Sequence, residues 1–213
     1  MQPLRLKDRR SQTLERILKA ATKEFSEAGF AGARVDKIAN GAGVNKATIY
    51  YHIGGKQALY AQVIHHLFGN AVERFNRNIS ETQSPENKLR SFIQTIAGLV
   101  DEHPELAAIM LREQASGGQH FPEMVAQDFA RILGILTEIL DDGVRSGTFI
   151  KTVPLVVHMM IIGAIVFFKM SSPIRAKFAP LVAAFDKFDK MSTNVNGEAA
   201  AEIEMLILNA VRK

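Results

Sequence analysis

The chain has 213 residues, 47% of them hydrophobic, with no cysteine and a formal net charge of +4 at pH 7. That length and apolar content allow one or two domains with a real core and exclude a disordered chain, while the absence of cysteine excludes disulfides and thiolate metal sites and fits a reducing cytoplasm. The charge is uneven: residues 1–56 hold eleven Lys and Arg against five Asp and Glu, whereas the remainder holds fifteen against seventeen, and a basic excess confined to one segment is the footprint of a nucleic-acid-binding module.

The start, MQPLRLKDRRSQT, is too charged to read as a signal peptide. Arg5, Lys7, Arg9 and Arg10 read as an arm without regular structure, either a minor-groove arm or a solubilising tail. Leu14, Ile17, Leu18, Ala21, Phe25 and Ala28 then recur at steps of three and four, the stripe of one amphipathic helix. Gly29 ends that helix, and Phe30 is placed for the hydrophobic contact that accompanies such a stop.

From Val35 to Lys56 the chain reads VDKIANGAGVNKATIYYHIGGK. Ile38, Ala39, Ala42, Gly43, Val44 and Ile49 have the spacing of two short helices crossing through a tight turn. Ala39 permits close approach, Gly43 permits positive φ, and Val44 and Ile49 close the wedge. Asn45 falls at the N-cap of the second helix. Lys46, Ala47 and Thr48 form its exposed first turn, suited to base edges in a major groove, and Tyr50, Tyr51, His52 and Lys56 follow as donors to phosphate oxygens. Taken alone, the spacing also fits an ordinary αα-corner, but turn, cap, basic flank and aromatic flank agree on the helix-turn-helix.

The run from Ile17 to Leu59, with ILKAATKEFSEAGF, VDKIANGAGVNKATIYYHI and GKQAL, resembles the N-terminal DNA-binding domain of TetR-type transcriptional regulators. It departs where Arg34 stands for the usual Ser or Thr, Ile53 for Phe, and Gly55 for a polar cap. The resemblance implies an all-α protein with a three-helix DNA-binding domain at 1–58 and a helical effector-binding and dimerisation domain at 59–213. It implies operator contacts from Arg34, Asn45, Lys46, Ala47, Thr48, Tyr50, Tyr51, His52 and Lys56. Double-stranded operator DNA, a second copy of the chain and a small-molecule effector are the partners it implies, with no cofactor, metal or membrane.

A long helix follows from Lys56, with Leu59, Val63, Leu67, Val72 and Phe75 inside; its adjacent His65 and His66 point to different faces and so do not chelate one metal. Pro85, Pro104, Pro122 and Pro154 each open an apolar-periodic segment, which predicts helices over about 85–101, 104–115, 122–146 and 154–170. Gly143 and Gly147 are read as the end of the third. LVVHMMIIGAIVFF, residues 155–168, is too short to span a bilayer and reads as a helix buried all round, on one side by its own domain and on the other by a second subunit. The last helix, from about Ala199 to Lys213, carries Ile203, Leu206, Ile207 and Ala210 on one stripe, so that two helices per subunit make a four-helix contact about a two-fold axis. Residues 171–198 carry no assignable role.

The inner stripes of the four proline-led helices are rich in flexible and aromatic side chains: Phe92, Ile96 and Leu99; Met110 and Glu113; Phe129, Leu133 and Leu136; His158, Met159 and Ile162. They read either as a dry core or as the walls of an apolar effector pocket. The resemblance, with His158 and Glu113 as polar groups on apolar faces, favours the pocket. No sustained strand alternation, phosphate-binding glycine loop, metal-ligand spacing or nucleophile motif is present, which speaks against an all-α enzyme. The remaining alternative is a DNA-binding protein of the same shape without an effector.

Overall fold

The computed structural model describes residues 3–80, 84–181 and 197–213; residues 182–196 of the segment without an assignable role lie outside them. Among the described residues the order is α1 (Pro3–Gly32), α2 (Val35–Ala42), α3 (Lys46–His52), α4 (Lys56–Ser80), α5 (Pro85–Glu102), α6 (Pro104–Ala115), α7 (Glu123–Arg145), α8 (Pro154–Met170), α9 (Ser172–Phe178) and α10 (Glu198–Val211). The only strand-like pairing among them is an isolated antiparallel bridge between Phe149 and Arg212. Pro85 and Pro154 open α5 and α8 at the first helical position, where the missing N–H costs nothing. The segment expected to be an irregular basic arm is instead the beginning of α1.

Two compact units emerge, Met1–Phe68 with Ala108–Ala126, and Gly69–Ala107 with Gln127–Lys213. The first is centred on α1, whose Ile17, Leu18, Ala21 and Phe25 are buried. Gly29, at φ 66° and ψ 177°, interrupts α1 as the sequence predicts, and one further turn continues to Gly32. Ile38, Ala39, Ala42 and Ile49 close the corner of α2 and α3 with at most 3% exposure each, which fixes the crossing of the two helices. The turn between them is a Schellman stop: Gly43 adopts φ 63° and ψ 40°, its N–H donates to Asn40 O, and the Val44 N–H donates to Ala39 O.

In the second unit α10 packs on α5 and α8. Leu89, Phe92, Ile93 and Ala97 of α5, Ile161 and Ile165 of α8, and Leu208 and Val211 of α10 supply its core. Lys169 Nζ donates to Asp101 at 2.6 Å, Gln94 Nε2 to Glu204 at 2.8 Å, and Arg212 Nε to Glu86 at 2.7 Å. The chain end is pinned by two backbone hydrogen bonds, Ile150 N to Val211 O at 2.8 Å and Lys213 N to Thr148 O at 3.1 Å.

Three further expectations change. Gly143 does not end α7 but lies inside it, because a Cβ there would sit 1.9 Å from Phe149 Cδ2 and the buried Phe149 ring occupies that space. Helix α8 is buried on one face only: Val157, His158, Ile161, Ile165 and Val166 face inward, while Val156 and Phe167 are 56% and 66% exposed and Leu155, Met159 and Met160 also face out. The single stripe expected on α10 splits, with Ile207 buried and Leu206 57% exposed. No single helix among the described residues is long and apolar enough to cross a membrane; α8 and α9 reach that composition only as a pair bent by 49°.

Candidate functional site

Helix α3 is short, and its register rests on a cap at one end and one buried side chain in the middle. Asn45 Oδ1 accepts from the Thr48 N–H at 2.7 Å and from the Thr48 hydroxyl at 2.8 Å, so the helix starts where the sequence predicts. Ile49 is fully buried and turns the opposite face outward. That face presents exposed Lys46 and Ala47, half-buried Thr48, and Tyr50 and Tyr51 at 49% and 83% exposure. Two tyrosines so exposed on the second helix of a helix-turn-helix contribute little to the core, and their hydroxyls are free to donate outward. Thr48 gives its proton to Asn45 and offers only its lone pairs and methyl to a partner.

The remaining expected contacts differ in how free they are. Lys46 Nζ lies 3.1 Å from Asp36 Oδ1, an exposed pair that joins α3 to α2. His52 is half-buried and meets Tyr51 edge-on at 5.1 Å. Lys56 is turned inward: its Nζ donates to Ala31 O at 3.1 Å and sits 4.9 Å from the centre of the Phe30 ring, so it ties the start of α4 to the end of α1. Arg34, the N-cap of α2, is exposed and makes no capping bond with its side chain.

Sequence reasoning missed the group that serves α2 instead. Glu24 of α1, 8% exposed, accepts the Arg34 N–H at 3.1 Å and lies 3.8 Å from Lys37 Nζ. A signal was available: neither Arg34 nor Lys37, the two positions of a capping box, can accept a hydrogen bond, so an acceptor from elsewhere was required.

A second cluster braces the same unit. Phe30 is ringed by Phe25, by Tyr60 edge-on at 5.1 Å and by His120 at 4.1 Å. The Tyr60 hydroxyl donates to Glu113 Oε1 at 2.7 Å, and the His120 N–H donates to Glu113 Oε2 at 3.3 Å. Burial, with the Glu113 carboxylate beside it, pushes the Tyr60 phenol well above its usual range. Arg112 donates to Ser26 O and Glu27 O, carbonyls near the end of the main run of α1.

The residues expected to line an effector pocket therefore separate. Met110 and Glu113 belong to the unit built on α1, and both Glu113 oxygens already have donors. Met159 is 46% exposed and faces outward. In the second unit, Ile96, Leu99 and Leu136 are buried, and Leu133 and Ile162 half-buried. The structure brings together Phe92, Phe129 and His158: the imidazole meets the Phe129 ring edge-on at 5.1 Å and the Phe92 ring at 6.5 Å. His158 is 4% exposed, its Nδ1 has no hydrogen-bond partner, and burial lowers its pKa, so the neutral ring is favoured. Elsewhere, a surface cleft of about 600 Å³ runs along α1, lined by Gln12, Thr13, Glu15, Arg16 and Lys19; its charged, one-helix lining is unlike an enclosed apolar site.

Family models match both parts of the chain: bacterial regulatory proteins of the tetR family over residues 17–63, and the tetracyclin repressor-like C-terminal domain over residues 85–179. The HTH-type transcriptional repressor NicS of Pseudomonas putida is 28% identical over 165 residues, 76% of this chain and 77% of that protein. The HTH-type transcriptional regulator RutR of Escherichia coli is 22% identical over 92% of this chain and 89% of its own. The crystal structure of HlyIIR, a hemolysin II transcriptional regulator, superposes with a TM-score of 0.68 at 26% identity, covering 96% of this chain and 99% of that one. That of FadR from Bacillus subtilis in complex with stearoyl-CoA shares the fold, with a TM-score of 0.71 at 22% identity over 93% and 99% of the two chains. With a capped, outward-facing α3 in the segment matched by one model and the helices from Pro85 onward matched by the other, the chain belongs to the TetR family of DNA-binding transcriptional regulators.

Proposed function

We propose that this regulator is a dimeric repressor that holds a palindromic operator through α3 and leaves it when an apolar small molecule binds the second unit. The observation that carries the DNA reading is the exposed first turn of α3, with its flanking tyrosines, on a helix held rigidly by Asn45 and Ile49. Lys46, Ala47 and Thr48 face base edges; Arg34, Tyr50, Tyr51 and His52 face phosphates. Lys56 reaches a phosphate only with donors left over from Ala31. Residues 1–58 act as the DNA-binding head and 59–213 as the effector-binding and dimerising body. The protein works in the cytoplasm and catalyses no reaction.

The dimer reading rests on the outward faces of α8 and α10. Val156, Met159, Met160 and Phe167, with Met205 and Leu206, leave much apolar surface in water, and a second copy related by a two-fold axis covers it. Two copies then present their α3 helices to half-sites one helical turn of DNA, or a multiple of it, apart.

The effector reading rests on His158. A neutral imidazole buried between two phenyl rings, with a nitrogen that has no partner, is satisfied by one polar group on an otherwise apolar ligand. The stearoyl-CoA bound by FadR makes long-chain acyl compounds a sensible first probe for this chain. Footprinting on DNA upstream of the gene, with and without a library of apolar and amphipathic compounds, is the test. Protection of a palindrome that some compounds abolish is the expected result. Protection that no compound affects would favour the effector-free alternative, and no protection at all would overturn the DNA reading.

A further inference from the structure

Helix α2 has one acid in its first turn, Asp36, but neither of the two positions that cap a helix start offers an acceptor. In a self-sufficient helix start, the N-cap side chain accepts an N–H from the first turn, and a Glu or Gln three residues later accepts the N–H of the N-cap residue. Here the N-cap is Arg34 and the third residue is Lys37, and both side chains are donors only. Two cations at a helix start also oppose the positive end of the helix dipole and repel one another. Glu24, reaching across from α1, answers all three problems: it accepts the Arg34 N–H at 3.1 Å, stands 3.8 Å from Lys37 Nζ, and places a negative charge beside the first turn of α2. It is 8% exposed, while Arg34 is exposed and the Lys37 side chain is 66% exposed.

We propose that Glu24 is a positioning residue for DNA binding: it caps α2 from inside the head, so that both capping positions carry cations, Arg34 and Lys37, that meet the phosphate backbone. A hydroxyl at position 34 would be occupied in capping its own helix and would carry no charge. With the cap supplied by α1, the guanidinium and the Lys37 ammonium keep their donors for DNA. This rests on the reading of α2 and α3 as the DNA-contacting face and adds Lys37 and Glu24 to it.

The test is a two-by-two set of variants, Glu24→Ala, Arg34→Thr and the double variant, compared with the unmodified protein. Each is titrated at several salt concentrations against a duplex recovered from a randomised pool by the unmodified protein. Each is also melted alone. Glu24→Ala is expected to weaken binding about fivefold, the size of one lost helix cap, and to lower the melting temperature. Arg34→Thr restores a hydroxyl cap and removes a phosphate contact, so its salt slope is expected to fall by about one unit. In that background Glu24→Ala is expected to cost less affinity than in the unmodified chain, because the introduced hydroxyl holds a first-turn N–H and one of the two cations is gone, although the N–H of residue 34 still loses its acceptor. Lys37→Ala is expected to lower the salt slope by about one unit as well. Glu24→Gln keeps an oxygen for the Arg34 N–H and is expected to bind better than Glu24→Ala.

An equal loss from Glu24→Ala in the unmodified chain and in the Arg34→Thr background would overturn the capping role. If Glu24→Ala does not fold, recovery of the fold on adding Arg34→Thr supports the proposal, and failure to recover overturns it. Unchanged salt slopes in Arg34→Thr and Lys37→Ala would overturn the phosphate contacts, whatever Glu24→Ala does. Loss of all binding selectivity in the unmodified protein would instead point to a failure of the underlying DNA reading.

Discussion

Replacing Gly143 with alanine sets two known effects against each other, and their sizes decide the sign. Alanine in a helix is favoured over glycine by up to about 1 kcal/mol, so position 143, in the last turn of α7, ought to gain from the change. The new methyl group, however, would lie 1.9 Å from Phe149 Cδ2 and 2.5 Å from Cγ, distances at which the ring must leave. Phe149 is 2% exposed, and expelling a buried phenyl ring costs about 3–5 kcal/mol when the site does not collapse. Phe149 also sits in the segment that pairs with the chain end through Ile150 N to Val211 O and Lys213 N to Thr148 O, so its displacement puts a further ~1 kcal/mol per hydrogen bond at risk. The net expectation is a loss of about 2–4 kcal/mol, a fall in melting temperature of roughly 5–15 °C for a domain of this size. The assay is thermal melting at one fixed protein concentration, since the proposed dimer would make the midpoint depend on concentration. The decisive comparison is Gly143→Ala made in a Phe149→Ala chain, where the obstacle is gone and the substitution is expected to stabilise by up to about 1 kcal/mol. Stabilisation by Gly143→Ala in the unmodified chain would refute the reasoning.

Other outcomes follow from the same geometry. Lys56→Ala is expected to lower the melting temperature as well as DNA affinity, because it removes the tie to Ala31 O and the Phe30 ring; a change in salt slope alone, without a stability change, would contradict the inward placement. Leu206→Asp with Met159→Asp is expected to give a folded monomer by analytical ultracentrifugation, whereas Ile207→Asp, at a position 4% exposed, is expected to unfold the chain; a folded Ile207→Asp dimer would contradict the burial. Burial lowers the His158 pKa below its ordinary 6.5, so its contribution to stability is full above that value and is lost as the pH falls below it. His158→Phe is expected to flatten the acid limb of melting temperature against pH, and an unchanged limb would count against it. The Tyr60 phenol is raised above its ordinary 10.0, so its contribution is full below that pH and fades above it; Tyr60→Phe is expected to cost stability at neutral pH and to remove that alkaline loss, read by denaturant melts.

What the sequence disclosed was mostly local. Pro85, Pro104 and Pro154 marked helix starts because proline fits the first turn and nowhere later, and the observed elements begin there. Gly43 and Asn45 announced a stop and a start through backbone and side-chain chemistry confined to a few residues. What stayed hidden depends on partners distant in sequence. Glu24 lies ten residues before the N–H it accepts, with no periodic relation to it. Glu113 stood out as an acid on an apolar face, but the Tyr60 hydroxyl that occupies it comes from 53 residues earlier. Gly143 looked like punctuation because the ring filling its space is set by the turn that follows α7. The stripe on α8 could be counted but not aimed, since a helix apolar on nearly every side gives no period from which to tell inside from outside.

Binding-site selection from a randomised duplex pool, run in parallel with the unmodified protein, Lys46→Ala and Thr48→Ala, tests the DNA-binding claim most directly. The expected result is a palindromic motif whose half-sites lie one helical turn or a multiple apart, with base preference relaxed at the same symmetry-related positions in each variant. An unsymmetrical motif, or identical motifs from all three proteins, would contradict it.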